Sequence, residues 1–321
     1  FPKLLAGPIE RAKPFLEQLA APIRLDPQLV ASGLQLMLWG LIKKTVIADN
    51  LAEFVNNAFL TPAFQSPVTL LVAVYLYAFQ IYCDFSGYSD IAIGSARVLG
   101  IQLMNNFKRP YLAKSVAEFW SQRWHISLSR WFRDYLYIPL GGNRVPWWRV
   151  QLNLLIVFLV SGLWHGANWT FVIWGGLNGL YQIVFRLLQA GWDRLKVPVR
   201  PPSWLSGFLN TLITFHLITL SWVFFRASSV QEAWTILTRI SGSFQRLPML
   251  LSVYNWSSQL RLLFAMIAVL LLVEIWDEQR PVRAWLARQP AVIRWGVYYG
   301  AIALLLTLGK WGFEEFVYMQ F

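Results

Sequence analysis

The 321 residues are 56% hydrophobic and 14% charged, with 18 Trp and a net charge of +12. Soluble domains average about 25% charged residues, so this composition excludes an ordinary soluble globular protein. The positive excess does not point to nucleic acid either. Lys and Arg fall between apolar segments, where anionic headgroups and membrane orientation account for them. A lone cysteine, Cys83, rules out an intrachain disulfide or a cysteine metal cluster and reads as a packing residue.

The chain starts at Phe1, without Met and inside an apparent motif, and is expected to be an N-terminally truncated piece. Its first 27 residues are basic and proline-rich, too broken for a span, with a short surface helix expected over Arg11–Leu19. Leu29–Ile42 is apolar but short for a span, and Lys43-Lys44 after it are expected to snorkel to headgroups. Val68–Tyr82 is a clearer span. The polar run DFSGYSD (84–90) reads as a break, with Ser86 or Ser89 capping the next helix and Asp90 in its first turn. Capping is preferred there over substrate or proton handling by Asp84 and Asp90. Ala92 and Ala96, four apart, predict a small-residue packing face.

Asn105–Arg149 is the most basic region, which places it in the cytoplasm. Within it Trp120, Trp124, Leu128, Trp131 and Tyr135 recur at helical spacing, predicting one amphipathic helix lying in the membrane surface. His125 falls on its polar side, beside a flank of Arg123, Arg130 and Arg133. Attraction of that flank to a phosphorylated donor and attraction to anionic lipid are equally good readings.

Val150–Phe185 contains no Lys, Arg, Asp or Glu and holds His165 at its centre. Gly166-Ala167-Asn168 predicts a break, with Gly166 ending one helix and Asn168 capping the next. Irregular backbone at membrane depth must lie inside protein or beside a water-filled cavity. An ionisable residue there is a functional candidate, the alternative being a histidine that packs and makes one hydrogen bond. Gly175-x-x-x-Gly179 is a helix-packing pattern. Leu187–Pro202 reads as a basic loop. Trp204–Phe225, Leu260–Trp276 and Ile293–Leu308 are further spans, with a short helix at Val230–Ile240 and an aromatic interfacial end. His216, mid-span, reads as structural.

FPKLLAGPIER, DFSGYSDIAIGSARVLGI, EFWSQRWHISLSRWFRDYLYIPLGGNR and SGLWHGANWTFVIWGGLNGLY together resemble the membrane-bound O-acyltransferase superfamily. The similarity is to its alginate O-acetyltransferase branch, related to the D-alanyl transfer protein of teichoic-acid synthesis, and covers essentially the whole chain. It implies an all-α, polytopic helical bundle with interfacial amphipathic helices, taken as one membrane domain over residues 1–321. It implies a tunnel joining the two faces, a cytoplasmic thioester donor (acetyl-CoA or an acyl carrier) as substrate, and no bound cofactor or metal. His165, in the Trp-His-Gly motif, carries over as the catalytic residue, and His125, in Arg-Trp-His, as the second characteristic position. The expected partners are membrane lipid, an exported polysaccharide and a periplasmic acyltransferase, in the bacterial inner membrane. The runner-up is a transporter or flippase of an acylated carrier. Transporters usually show repeat symmetry and paired intramembrane charges, and neither is evident in the sequence, although Glu274 near the end of one span stands as a reservation. A scaffold for an export complex leaves the buried histidine unexplained.

Overall fold

The computed structural model describes residues 7–22, 26–195, 203–242 and 257–312. The helices are α1 (Ala12–Ala20), α2 (Pro27–Leu60), α3 (Pro67–Val98), α4 (Ile126–Phe132), α5 (Trp147–His165), α6 (Trp169–Leu195), α7 (Ser203–Arg226), α8 (Val230–Ser241), α9 (Ser258–Gln279), α10 (Val282–Ala287) and α11 (Ala291–Leu308). Among the described residues seven helices are long and apolar enough to cross a membrane: α2, α3, α5, α6, α7, α9 and α11. The chain is a multi-pass helical membrane protein. The predicted loop after Leu187 is helical as far as Leu195, and 196–202 lie outside the described residues, as does the aromatic end from 313.

The chain forms two compact units, Phe1–Asn106 with Ile240–Gln320, and Phe107–Arg239. In the first, Asp26-Pro27 and Ser66-Pro67 start the two long helices. The Asp26 carboxylate accepts from Gln28 N at 2.7 Å and the Ser66 hydroxyl from Thr69 N at 3.0 Å, with proline at the first helical position each time. α2 and α3 then pack together along a pair of glycine contacts. A Cβ on Gly33 would lie 2.7 Å from Gly94 O, and one on Gly40 would lie 2.7 Å from Gly87 O. At both positions the two backbones meet with no room for a side chain.

Two expectations fail here for one reason. Lys43 and Lys44 do not reach headgroups, and DFSGYSD is not a break, because the lysines and the polar run pair with each other. Ile42–Ala48 is a π-helical segment inside α2. Its wider turn aims two consecutive lysines at α3. Lys43 Nζ lies 2.7 Å from Asp90 and donates to Ser86 Oγ at 3.0 Å. Lys44 Nζ lies 2.7 Å from both Asp84 and Asp49. With those charges matched, α3 runs unbroken through 84–90, and Asp84, Ser86 and Ser89 are buried rather than capping. Glu274 of α9 is likewise buried and accepts a hydrogen bond from the Tyr82 hydroxyl. α11 is tied to α2 by Gln35 Nε2 donating to Tyr298 at 2.7 Å and Asn50 Nδ2 donating to Leu308 O at 2.9 Å. Cys83 is fully buried, as its packing role requires.

In the second unit α5 and α6 form a tight hairpin. Gly162 meets the Phe171 backbone and Gly175 meets the Phe158 backbone so closely that neither position has room for a Cβ. Gly179 abuts Leu155 and Phe158, so the Gly175–Gly179 pattern does serve packing. α7 packs on α6.

Candidate functional site

The predicted single surface helix within 115–140 is not formed. Val116–Glu118 makes one turn, Phe119–Arg123 widens into π-helical geometry, and Trp124 is extended. His125 then adopts the left-handed region, with φ 43° and ψ 53°, before α4 begins. Periodicity carries on across this break, which is why the pattern reads as one helix. The apolar stripe divides accordingly. Trp120, Trp124 and Leu128 are buried in protein, while Trp131 and Tyr135 remain exposed. The same break takes His125 off the solvated face and buries it to 5% exposure.

Arg123 is also misplaced by the sequence reading. It is buried, its Nε donating to Glu118 Oε1 at 2.6 Å, so only Arg130 and Arg133 of the basic flank face outward. Arg133 is engaged with Asp134 at 2.8 Å.

The break after His165 forms as predicted. α5 ends at His165, Gly166 is extended, and the Asn168 carboxamide oxygen accepts from Thr170 N at 3.1 Å to start α6. Asn168 Nδ2 also donates to Ser228 O at 3.0 Å, which staples the break to the turn before α8. A Cβ on Gly166 would sit 2.6 Å from the Phe171 ring, so a larger residue would push that ring away from the histidine.

His165 stands inside a set of aromatic rings. Its centroid is 4.9 Å from Trp164, 5.1 Å from Trp174 and 5.1 Å from Phe225, each near perpendicular. Trp174 stacks on Trp222 at 5.7 Å, and Trp222 in turn contacts Trp124 at 5.0 Å. Trp120 joins them 5.4 Å from Trp174, with its Nε1 donating to Asn178 Oδ1 at 3.0 Å. Asn178 is fully buried and donates to Trp174 O at 2.8 Å. Sequence reasoning assigned no role to Trp174 or Phe225, which face His165, or to Trp222 and Asn178 behind them. Trp222 and Phe225 lie on α7, which only the fold brings to the break.

The structure brings the two candidate histidines together. Burial pulls the pKa of His125 down from 6.5 to about 3, and the proximity of His165 is a second, smaller cause. His125 is therefore neutral near pH 7, able both to donate and to accept a hydrogen bond. His216 is not part of this site. It is exposed on α7, and its Nδ1–H donates to Leu212 O one turn back at 2.7 Å, the structural role expected of it. An imidazole among aromatic rings, at a helix break and beside a second, neutral imidazole, has the chemistry of a general base with a polar neighbour.

Residues 1–230 match the model of MBOAT, the membrane-bound O-acyltransferase family. A "Probable alginate O-acetylase" of Azotobacter vinelandii is 42% identical over 237 residues, 73% of this chain and 44% of that protein. A "Peptidoglycan O-acetyltransferase" of Helicobacter pylori is 42% identical over 244 residues, covering 75% and 45% of the two chains. A "Teichoic acid D-alanyltransferase" of Bacillus subtilis is 27% identical over 242 residues, covering 70% and 58%. The chain thus spans about half the length of the relatives it matches.

Proposed function

Because this chain belongs to the membrane-bound O-acyltransferase family, we propose that it moves an acetyl group from a cytoplasmic thioester to a hydroxyl of an exported polysaccharide. The thioester is acetyl-CoA or an acylated carrier, and the setting is the bacterial inner membrane. The observation that carries this reading is His165, set at the capped break between α5 and α6 among Trp164, Trp174 and Phe225. The two relatives named for O-acetyl transfer are 42% identical and the one named for D-alanyl transfer 27%, which favours acetyl.

The acceptor oxygen attacks the thioester carbonyl carbon while a ring nitrogen of His165 takes the hydroxyl proton. The new C–O bond forms, the C–S bond breaks, and the departing thiolate takes up the proton. Ester and thiol are the products, and nothing is oxidised or reduced. His125, neutral at working pH, lines the donor side, where it offers a hydrogen bond without placing a second charge beside His165. The acceptor is the polysaccharide itself or a periplasmic partner acyltransferase that passes the group on.

The test uses the protein reconstituted in vesicles, with labelled acetyl-thioester on one side and the partner acyltransferase and acceptor polysaccharide on the other. Free thiol and labelled ester should appear together, and His165→Ala should lower the rate by roughly 10²–10⁴-fold with insertion unchanged. Intact thioester crossing the membrane would establish the transporter reading instead. Transfer by His165→Ala at the normal rate would remove His165 from the mechanism.

A further inference from the structure

We infer that Arg123 is a positioning residue for His125: its guanidinium locks the turn that holds this imidazole in its left-handed backbone conformation. The inference deepens the acyltransfer reading and rests on it. A non-glycine residue in the left-handed region is held there only when its surroundings over-determine it. His125, at φ 43°, is such a residue, and Arg109, at φ 42°, is the other one among the described residues.

One side chain ties the two together. Arg123 Nε donates to Glu118 Oε1 at 2.6 Å, while Nη1 reaches the carbonyl oxygens of Lys108 and Arg109 at 3.3 Å each. The Arg123 carbonyl accepts from Lys108 N at 2.9 Å, so the loop and the π turn are joined through backbone and side chain alike. Glu118 is itself fixed, its other oxygen accepting from Lys114 N at 2.8 Å and its own N–H capped by Ser115 at 3.1 Å. Beyond the histidine, Ser129 N donates to His125 O at 3.1 Å and Ser129 Oγ to Trp120 O at 2.6 Å. The segment is therefore clamped on both sides of His125, and Arg123 supplies the clamp on the entry side.

Only arginine suits this position. Its planar fork satisfies a carboxylate and two carbonyls at once, whereas a lysine ammonium is a single point that cannot span them. Arg123 is 7% exposed and committed to these partners, so it does not reach a phosphorylated donor. Its loss should slow the chemical step and leave donor affinity alone.

The test measures acetyl transfer by the reconstituted protein as wild type, Arg123→Lys and Glu118→Gln. It also records the imidazole NMR signals of histidine-labelled protein, which has three histidines. Arg123→Lys should lower kcat about tenfold or more, with KM for the thioester within about twofold of wild type. It should move the His125 signal and leave that of His216 in place. Glu118→Gln, which keeps an acceptor for Nε, should act in the same direction and more weakly. Wild-type kcat in Arg123→Lys overturns the inference, as does a raised donor KM with kcat unchanged. Failure of both variants to fold, or displacement of all three imidazole signals, reduces Arg123 to a general structural role and overturns it too. An inactive wild type, or an active His165→Ala, sinks the acyltransfer reading itself, so the two failures are told apart.

Discussion

Gly40 of α2 and Gly87 of α3 meet backbone to backbone, with no room for a Cβ on either: one on Gly40 would lie 2.7 Å from Gly87 O, and the reverse distance is also 2.7 Å. The obstacle is backbone, which cannot swing aside like a side chain. Gly87→Ala should therefore prise the two helices apart and cost about 1–3 kcal/mol, as overpacking does. It should also weaken the neighbouring pair of Lys44 with Asp84. Gly176→Ala, whose Cβ would meet only the Leu159 side chain at 3.5 Å, should be nearly silent. Unfolding of the purified variants in detergent, followed by helical signal, measures both.

Lys44 sits between two buried carboxylates at 2.7 Å from each. Lys44→Met removes the ammonium that Asp49 and Asp84 share. Breaking a buried pair from one side costs about 3–5 kcal/mol, so this variant should lose much of its folded yield. Adding Asp49→Asn and Asp84→Asn to Lys44→Met removes the stranded charges and should restore part of the loss. A triple variant no better than Lys44→Met would show that the charges themselves are not what matters.

His125 makes stability depend on pH. In the unfolded chain its imidazole protonates near 6.5, whereas the fold holds it neutral down to about 3. The unfolded state therefore binds more protons between these values, and stability falls as pH drops through that window. Above pH 6.5 the contribution is complete. Its slope reaches about 1.4 kcal/mol per pH unit for one proton. Thermal unfolding at pH 7, 6, 5 and 4 should show a steeper decline for wild type than for His125→Gln.

The basic stretch 105–149 predicts a cytoplasmic face, and Ser121 is its best reporter. Ser121 is exposed, whereas Ser129 is partly buried and bonded to Trp120 O. A cysteine at Ser121, in a Cys83→Ser background, should resist an impermeant thiol reagent added outside intact cells. It should react once the cells are opened. Labelling from outside would reverse the topology.

The legible parts of this molecule are those decided by neighbours in sequence. The apolar lengths gave most spans, and Gly166-Ala167-Asn168 declares the break that ends α5 at His165. What could not be read depends on partners far along the chain. Asp84 and Asp90 look like caps until the lysines some forty residues upstream are brought against them. The pattern around Trp120 and Trp131 keeps its period while the backbone turns left-handed at His125, and a count of apolar positions does not register that turn. Phe225, which closes on His165 from α7, emerges only with the fold.

The paired charges of α2 and α3 also constrain how the protein enters its membrane. α2 on its own would carry Lys43, Lys44 and Asp49 into lipid, and each charge at a helix centre costs about 2.5–3.5 kcal/mol on insertion scales. Two of the partners that neutralise those lysines, Asp84 and Asp90, emerge from the ribosome only with α3. The insertion machinery must then hold α2 in a polar passage until α3 arrives, and release the two as a hairpin joined by the loop at 61–66. A chain stopped short of Asp84 would leave α2 stranded at the threshold of the bilayer.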